Sequence, residues 1–428
     1  MNHSARLSTA LVGLTIDRLQ GQRYSSRAHF SKSRAGSKQA NSTVASREEI
    51  NRPNAWQEPR PGSGQRNKVQ GDGMLKYSDL GTGRQLNQIV MAGSHDAGVT
   101  EGGGNVQTQN MDIYLQANAG VRLFDIRIAA VAQKDQGLGK QAQLKAYHSA
   151  IKFKSEGSRH LTDLGKQTDV KMAKLAGGEW GEALTKMLSD ARRFVQDNPD
   201  EFLILKFDKC TNWTAIAEAC VRFLGNSIYS KAGNLNTKKI RDLGGSVIVL
   251  FGQAGVAEAK YPASMGILGF RNLASGGTYD PDFNGLQYLG KGGTSVARPF
   301  FKISQNKANQ AKLMKKGGDA DPNVMGMMYW TTTGIFENIK KRNDTMWTEN
   351  KQSALKKLWS NGLAESIESR LAKNIDPTTD SAGGMLKTFM PNFVMIDFSD
   401  AEKCKTIYDL NSVAATSLTA AWKNATAA

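Results

Sequence analysis

The sequence is poor in cysteine and has no long hydrophobic run. Its 428 residues include three cysteines, Cys210, Cys220 and Cys404, without a C-x-x-C pair. A set this sparse and odd in number is neither a disulfide framework nor a cysteine-based zinc site, and it favours a reducing compartment with free thiols, although Cys210 and Cys220 could pair. No stretch approaches the roughly 20 apolar residues that a membrane-spanning helix needs. The sequence therefore argues against a disulfide-stapled domain and a membrane-spanning protein.

Acidic residues are also in deficit. The chain has 39 Asp and Glu against 56 Lys and Arg, which gives a formal net charge of +17. Such an excess predicts attraction to anionic partners, among them phospholipid headgroups, nucleic acid and acidic proteins. The charge alone does not choose among these partners, and a generally basic soluble protein remains an alternative.

Residues 1–75 differ from the rest in being rich in Ser, Arg, Asn and Gln. Residues 1–47 carry eight Lys or Arg and a single acid, Asp17. We expect residues 1–75 to be a disordered or targeting leader, followed by one catalytic domain over residues 76–428. The apolar stretch 7–16 is short for a Sec signal peptide. The composition is typical of a mitochondrial presequence or a bacterial type III effector, so we expect a protein translocated without a Sec signal that acts at membranes; cytoplasmic or mitochondrial locations are the alternatives.

Short apolar runs alternate with amphipathic stretches after residue 84. The predicted strands are residues 86–93, 121–129, 144–149, 201–208, 246–252, 267–272, 324–332 and 393–398. Eight strands with long connections predict an α/β fold with a closed (β/α)8 TIM barrel. The alternative is an open doubly wound sheet, but no G-x-G-x-x-G follows the first strand.

Titratable side chains lie at several of these strand ends. His95 and Asp96 follow the first predicted strand, and His148 ends the third. Asp125 and Arg127 are two residues apart on the second strand, so they should point to the same face. Because functional residues of TIM barrels gather at the carboxyl ends of the strands, we expect these groups to meet. Asp125 and Arg127 could instead form an ion pair that only satisfies itself.

Two more acids complete the set. Asp208 ends the fourth predicted strand, and Asp397 lies in the eighth, which is adjacent to the first once a barrel closes. Asp397 could be a helix N-terminal acid, but its apolar strand context argues against that interpretation. Two histidines, an arginine and several carboxylates at one barrel mouth suit proton transfer beside an anionic transition state.

These motifs together resemble the phosphatidylinositol-specific phospholipase C family of the X-domain type. The matching segments, in order, are GSHDAG (93–98), QANAGVRLFDIRI (116–128), AYHSA (146–150), DNPDEFLILKFD (197–208), MMYWTTTG (327–334) and FVMIDFSD (393–400). The similarity covers residues 84 to 400. It implies a distorted (β/α)8 TIM barrel that cleaves the glycerol–phosphate ester of phosphatidylinositol.

The resemblance also implies roles. His95 would be the general base for the inositol 2-hydroxyl, supported by Asp397, and His148 would be the general acid, supported by Asp96. Arg127 would bind the phosphoryl oxygens. Asp125 would hold Arg127 or bind the ring. The remaining substrate-binding candidates are Asp208, Lys209 and Trp330, with Tyr329 as the alternative aromatic wall.

Metal use can be compared with the same family. Its calcium-dependent members carry a carboxylate where this chain has Arg127, and its metal-free members carry an arginine there. We therefore expect no cofactor. Asp208 points the other way, since the metal-free members have a lysine at that position. The alternative is Ca²⁺ held by Asp96, Asp125 and Asp208.

The arginine that contacts inositol on the fifth strand of the metal-free members is not visible in VIVLFGQAG (247–255). Inositol specificity is therefore less strongly implied than phosphodiester cleavage. One alternative is a barrel phosphodiesterase for another headgroup or a soluble diester. The other is a catalytically silent phosphoinositide-binding module, against which the paired histidines argue. We expect a monomer that binds anionic phospholipid membranes and phosphatidylinositol but no nucleic acid.

Overall fold

The structure is a computed structural model that describes residues 73–132, 142–148, 179–291, 303–331, 338–348, 351–372 and 389–414. The predicted leader lies almost wholly outside these residues and stays a prediction. Within the described ranges there are eleven strands: β1 (Met91–Ser94), β2 (Val121–Ile126), β3 (Ile128–Ala132), β4 (Ala142–His148), β5 (Glu179–Ala183), β6 (Phe202–Phe207), β7 (Ser246–Gly252), β8 (Ile267–Asn272), β9 (Gly285–Lys291), β10 (Met325–Tyr329) and β11 (Phe393–Ile396).

The helices described between and after these strands alternate with them along much of the chain. They are α1 (Ile113–Ala119), α2 (Leu184–Asp197), α3 (Trp213–Leu224), α4 (Gln253–Ala259), α5 (Ile303–Gly318), α6 (Ile339–Thr348), α7 (Lys351–Ala372) and α8 (Ala401–Tyr408). In the part of the chain that is described, none of them is both long enough and apolar enough to cross a bilayer.

Eight of the strands close into a parallel barrel in the order β1-β11-β10-β9-β8-β7-β6-β2. Closure occurs where Ser94 on β1 pairs with Ile396 on β11. The predicted (β/α)8 architecture is confirmed. Because all eight strands run the same way, their carboxyl ends form one rim, which we call the mouth.

The third predicted barrel strand is wrong. Residues 142–148 form β4, which pairs antiparallel with β3 and β5 in a separate three-stranded sheet. The third place in the barrel is taken by β6, and the sequence analysis missed β9. The short run around His148 fits either kind of sheet, because alternation of apolar residues does not specify a partner strand. In β9, Gly285 and Gly290 interrupt the apolar pattern that marks the other strands.

Strand β5 leads directly into helix α2, which begins at Leu184. The last named helix, α8, follows the last barrel strand, and residues 415–428 lie outside the described ranges.

Alternation along the strands divides the core into two layers. Leu123 on β2 and Ile204 on β6 belong to the cluster inside the barrel. Their neighbours Phe124 and Leu205 belong to the cluster between the barrel and its helices. Because side chains alternate between faces, the positions two residues after Leu123 and Ile204 also point inward. Inside the barrel, the apolar side chains are therefore followed by polar side chains toward the mouth.

A buried ion pair anchors the segment before the barrel. Arg122 on β2 is fully buried, and its Nη2 lies 2.8 Å from Oε2 of Glu201. The same carboxylate accepts hydrogen bonds from the backbone N–H groups of Tyr77 and Ser78. Glu201 thus ties residues 77–78 to the beginning of β6.

We expect Glu201→Ala to destabilise the fold strongly, because it leaves the Arg122 guanidinium buried without its carboxylate. Loss of one partner of such a pair costs about 3–5 kcal/mol. Urea unfolding monitored by circular dichroism measures the free energy of unfolding. The control is Lys405→Ala, which breaks an exposed pair with Asp409 and should cost less than about 1 kcal/mol. Equal stabilities for the two variants would contradict the assignment.

Candidate active site

Two residues at the end of β1 begin the site. The His95 N–H donates to the carbonyl of Ile396, which holds the end of β1 against β11, and only 8% of His95 is exposed. Asp96 is 1% exposed and has a φ of 44°. A non-glycine residue in this left-handed region is strained by about 1–2 kcal/mol. This backbone turn aims two adjacent side chains, His95 and Asp96, into the same mouth.

His95 pairs with Asp397, which follows β11. The Nδ1 of His95 lies 2.9 Å from Oδ1 of Asp397, and the Asp397 carboxylate is fully buried. Its other oxygen, Oδ2, accepts a hydrogen bond of 3.1 Å from Nδ2 of Asn343 on α6. An Nδ1–H that donates to the carboxylate leaves Nε2 as the proton-accepting nitrogen.

Asp96 lies at the centre of the second group of contacts. Its Oδ2 is 2.7 Å from Nδ1 of His148, and its Oδ1 is 2.9 Å from Nε of Arg127. Nε2 of His95 lies 3.7 Å from Oδ2. One buried carboxylate therefore contacts both histidines and the arginine.

The pKa values follow from this clustering. Burial disfavours charged His95, but the nearby carboxylates of Asp96 and Asp397 outweigh it and raise the His95 pKa to about 9. Burial also opposes ionised Asp96, yet Arg127 and the two histidines hold its pKa far below the usual range. The guanidinium of Arg127 is likewise kept charged against burial, mainly by Asp96.

Arg127 differs from expectation in its position and its partner. It lies between β2 and β3, not within a strand. Its ion pair is with Asp96, while Asp125 contributes only its charge to the pKa of Arg127. The alternative in which Asp125 and Arg127 pair with each other is therefore not what the structure contains.

Asp125 instead pairs with Lys206, a residue that the sequence analysis missed. The two are register partners on β2 and β6, and Nζ of Lys206 lies 2.9 Å from Oδ1 of Asp125. Lys206 is 1% exposed and has a pKa raised well above normal: burial lowers it, but Asp125 more than compensates. The signal in the sequence was a lysine inside the apolar run FLILKF, on the inward face with Ile204.

Asp208 and Lys209 follow β6 at the rim. Oδ2 of Asp208 lies 3.7 Å from Nζ of Lys206, and Asp208 Oδ1 accepts the backbone N–H of Lys209. Lys209 is exposed and has a φ of 54°. The charge of Arg127, followed by burial, lowers the pKa of Lys209. Arg127 and Lys209 thus place two positive charges at the mouth, and these favour an anion there.

Aromatic residues form another part of the wall. The ring of Tyr329 meets that of His95 edge-on with centroids 5.9 Å apart. Phe270 on β8 lies 4.5 Å from Nζ of Lys206 and stacks with Tyr288. Trp330 is fully buried in the cluster outside the barrel, so it does not line the mouth, and the aromatic wall at this strand is Tyr329.

The fifth strand of the barrel is β8, not the VIVLFG run of β7, and it does carry an arginine, Arg271. The face that points inward holds Leu268 and Phe270, so Arg271 points outward by alternation. Its Nε and Nη2 donate to Gln287 Oε1, outside the mouth. An inward arginine on the fifth strand is therefore absent.

The alternative calcium ligands do not fit together. Asp96 is engaged by His148 and Arg127, and Asp125 is engaged by Lys206. Across the ranges that the structure describes, no three His, Cys, Asp or Glu side chains converge as a metal site would require. The donor set does not match a hard cation, which needs six or more oxygen ligands.

No family model and no curated protein matches the sequence. Solved structures with a similar backbone include the phosphatidylinositol-specific phospholipase C from Listeria monocytogenes, at 14% identity and a TM-score of 0.43, covering 78% of this chain and 96% of that chain. An F249X mutant of the Staphylococcus aureus enzyme has 15% identity and a TM-score of 0.41, covering 78% and 95%. A calcium-dependent phosphoinositol-specific phospholipase C from Pseudomonas has 11% identity and a TM-score of 0.30, covering 54% and 80%.

We expect the His95 imidazole to titrate near pH 9, as its geometry implies. Asp397→Asn removes one of the two carboxylates that favour the imidazolium, so the pKa of His95 should fall. Titration of the ring by ¹H–¹⁵N NMR measures both values without any substrate. Lys405→Ala is the control and should leave the titration unchanged. A wild-type His95 that titrates at its ordinary value would show that the buried carboxylates do not act on it.

Proposed function

We propose that the chain is a phosphodiesterase that cleaves the glycerol–phosphate ester of phosphatidylinositol. The observation that carries the proposal is a pair of histidine–carboxylate couples, His95–Asp397 and His148–Asp96, with the partly buried Arg127 held by the Asp96 carboxylate. A base, an acid and a guanidinium are the groups that in-line displacement at phosphorus needs. The family resemblance of the sequence motifs supports the same reaction.

His95 is the proposed general base. Asp397 accepts from Nδ1, which fixes the ring and the tautomer and leaves Nε2 to take the proton of the inositol 2-hydroxyl. The freed oxygen attacks the phosphorus of the same molecule. An intramolecular nucleophile of this kind gains from proximity, since no second reactant has to be captured.

His148 is the proposed general acid. Its Nδ1 lies against Asp96, so Nε2 is the nitrogen that would protonate the glycerol oxygen as the P–O bond breaks. Diacylglycerol leaves and a cyclic inositol phosphate remains, which water can open if the roles of the two histidines reverse. Arg127 donates to the phosphoryl oxygens as negative charge builds on them, while Asp96 keeps its guanidinium in place.

The other polar groups of the mouth are proposed to bind the headgroup. Lys206, held by Asp125, can donate to a phosphoryl or hydroxyl oxygen. The partly exposed Asp208 can accept from ring hydroxyls, and Lys209 adds positive charge beside Arg127. No step of this scheme uses a metal ion.

The proposed partner surface is an anionic membrane. The formal charge of +17 favours such a surface, where each nearby Lys or Arg contributes about 1 kcal/mol to membrane binding.

A reporter protein fused to residues 1–75 would test whether the proposed leader directs it to mitochondria or through a bacterial secretion apparatus.

We expect purified protein to release water-soluble inositol phosphate from phosphatidylinositol vesicles in EDTA. His95→Ala and His148→Ala should each lower the rate by about 10²–10⁴-fold, because each removes one proton-transfer group. Lys405→Ala, at an exposed site, is the matched control. Activity that appears only with added Ca²⁺ would contradict the metal-free scheme, and activity retained in both histidine variants would contradict the assigned roles.

We expect kcat/KM to rise with pH until about pH 9, because His95 must be neutral to accept a proton and its neighbours raise its pKa to about 9. Asp397→Asn should move this acidic limb to lower pH while lowering the maximal rate. A pH–rate series on vesicles measures both effects. A limb at the ordinary histidine pKa in the wild-type protein would exclude His95 as the group that titrates.

The second candidate function is cleavage of a related diester with another headgroup. The orientation of Arg271 away from the mouth favours it, since the inner face of β8 presents Phe270 instead of a cation. A panel of phospholipids and soluble glycerophosphodiesters separates the two candidates. Turnover of another headgroup above phosphatidylinositol would favour the second. Vesicle binding without turnover of any diester would instead indicate a silent binding module.

A further inference from the structure

Helix α6 places one buried polar side chain directly on the base couple. Asn343 is 1% exposed, and its Nδ2 donates to Oδ2 of Asp397 over 3.1 Å. The same Nδ2 donates to the carbonyl of Ile339 one turn earlier in α6, over 3.0 Å. The amide is therefore fixed to its own helix on one side and to the carboxylate on the other.

The Asp397 carboxylate needs such a partner. It is fully buried, and a buried carboxylate with an unpaired oxygen carries a large desolvation cost. The terminal torsion of an aspartate is broad and roughly two-fold, so its own backbone does not fix the plane of the carboxylate. With Oδ1 on His95 and Oδ2 on Asn343, that plane is defined by two hydrogen bonds at opposite oxygens.

The chemistry of the partner also matters, because Asn343 is neutral. Asp96 has the cationic Arg127 on one oxygen. A neutral amide satisfies Oδ2 of Asp397 without cancelling its charge, so the full negative charge remains available to the His95 imidazolium. An arginine or lysine at this position would partly neutralise the Asp397 carboxylate, which would then raise the pKa of His95 less.

The start of α6 is itself held at the rim. The Ile339 N–H donates to the carbonyl of Gly104 over 2.7 Å, and Gly104 belongs to the glycine-rich loop that follows β1. Asn343 is one turn further along α6. Its position relative to Asp397 is thus set by a backbone contact to a loop of the same rim.

We propose that Asn343 is a positioning residue for the base couple: its amide holds Oδ2 of Asp397 so that Oδ1 stays on Nδ1 of His95. The inference rests on the proposed function for its catalytic consequence, but its geometric content concerns His95 and Asp397 alone. No motif in the sequence marked Asn343, because its partner lies 54 residues away.

The test is Asn343→Leu, which keeps a similar volume but removes the donor. Without the amide the carboxylate is free to turn, so the downfield Nδ1–H resonance of His95 should disappear and the pKa of His95 should fall below its wild-type value. On vesicles, kcat should fall about 10–100-fold with little change in KM, the size expected for a hydrogen bond to a charged group.

Two further variants separate positioning from simple loss of packing. Met346→Ala removes buried volume from the same helix, one turn after Asn343, without removing a partner of Asp397. It should leave the His95 resonance and pKa at the wild-type values. Asn343→Asp is nearly isosteric; its carboxyl, when protonated, can still donate to Asp397. The resonance should therefore persist at the acidic end of the titration and vanish as the new carboxyl ionises.

Each outcome of these measurements either supports or overturns the role proposed for Asn343. A wild-type resonance and pKa in Asn343→Leu, or the same shift in Met346→Ala, would overturn the proposal. If Asn343→Leu does not fold, the pH-dependent loss of the resonance in Asn343→Asp supports the proposal, and a resonance insensitive to pH overturns it. Because the NMR measurement needs no substrate, absence of turnover in the wild-type protein would refute the proposed function without affecting this result.

Discussion

The buried charge of Asp96 is the constraint on which the rest of the site depends. Its carboxylate is 1% exposed and sits on a backbone with a φ of 44°, so both its charge and its conformation are costly. The structure compensates the charge with Arg127 and His148 and leaves His95 within 3.7 Å. Arg127 and His148 are held in the mouth by this anion, and its charge also acts on His95. A change at Asp96 would therefore disturb the proposed acid, the base and the phosphate-binding group together.

The two carboxylates differ in what surrounds them, and the difference suits their proposed tasks. Asp96 shares its charge among several cationic or titratable groups, which favours an anchor for Arg127 and His148. Asp397 has His95 on one oxygen and the neutral amide of Asn343 on the other. The negative charge of Asp397 therefore acts on one imidazole ring, that of His95. Because both carboxylates favour the imidazolium, the pKa of His95 rises to about 9. A higher pKa makes His95 a stronger base, but a smaller fraction of the protein then carries neutral His95 at pH 7.

Sequence reasoning located the groups whose positions follow from strand ends, and it missed those that depend on strand order. His95 and Asp397 could be placed together because parallel strands carry their carboxyl ends to one rim and closure makes the first and last strands neighbours. Lys206 was overlooked, since only the register of β6 against β2 sets it opposite Asp125. The fifth strand was misnumbered because β4 was counted in the barrel. The face of Arg271 then required the inward set on β8, which one apolar run does not reveal.

The misplaced strand also shows how the site is assembled. The proposed base is fixed by the barrel, whereas His148 comes from a separate antiparallel sheet, so contacts between the two must set the distance from acid to base. Tyr147 supplies two of them: its N–H donates to the Arg127 carbonyl over 3.0 Å, and its hydroxyl donates to the Lys209 carbonyl. At β5, the backbone of Gly181 comes so close to the Gly98 carbonyl that a Cβ atom would lie 2.0 Å from the oxygen. Backbone contacts of this kind explain how a strand outside the barrel can position the His148 side chain at the mouth.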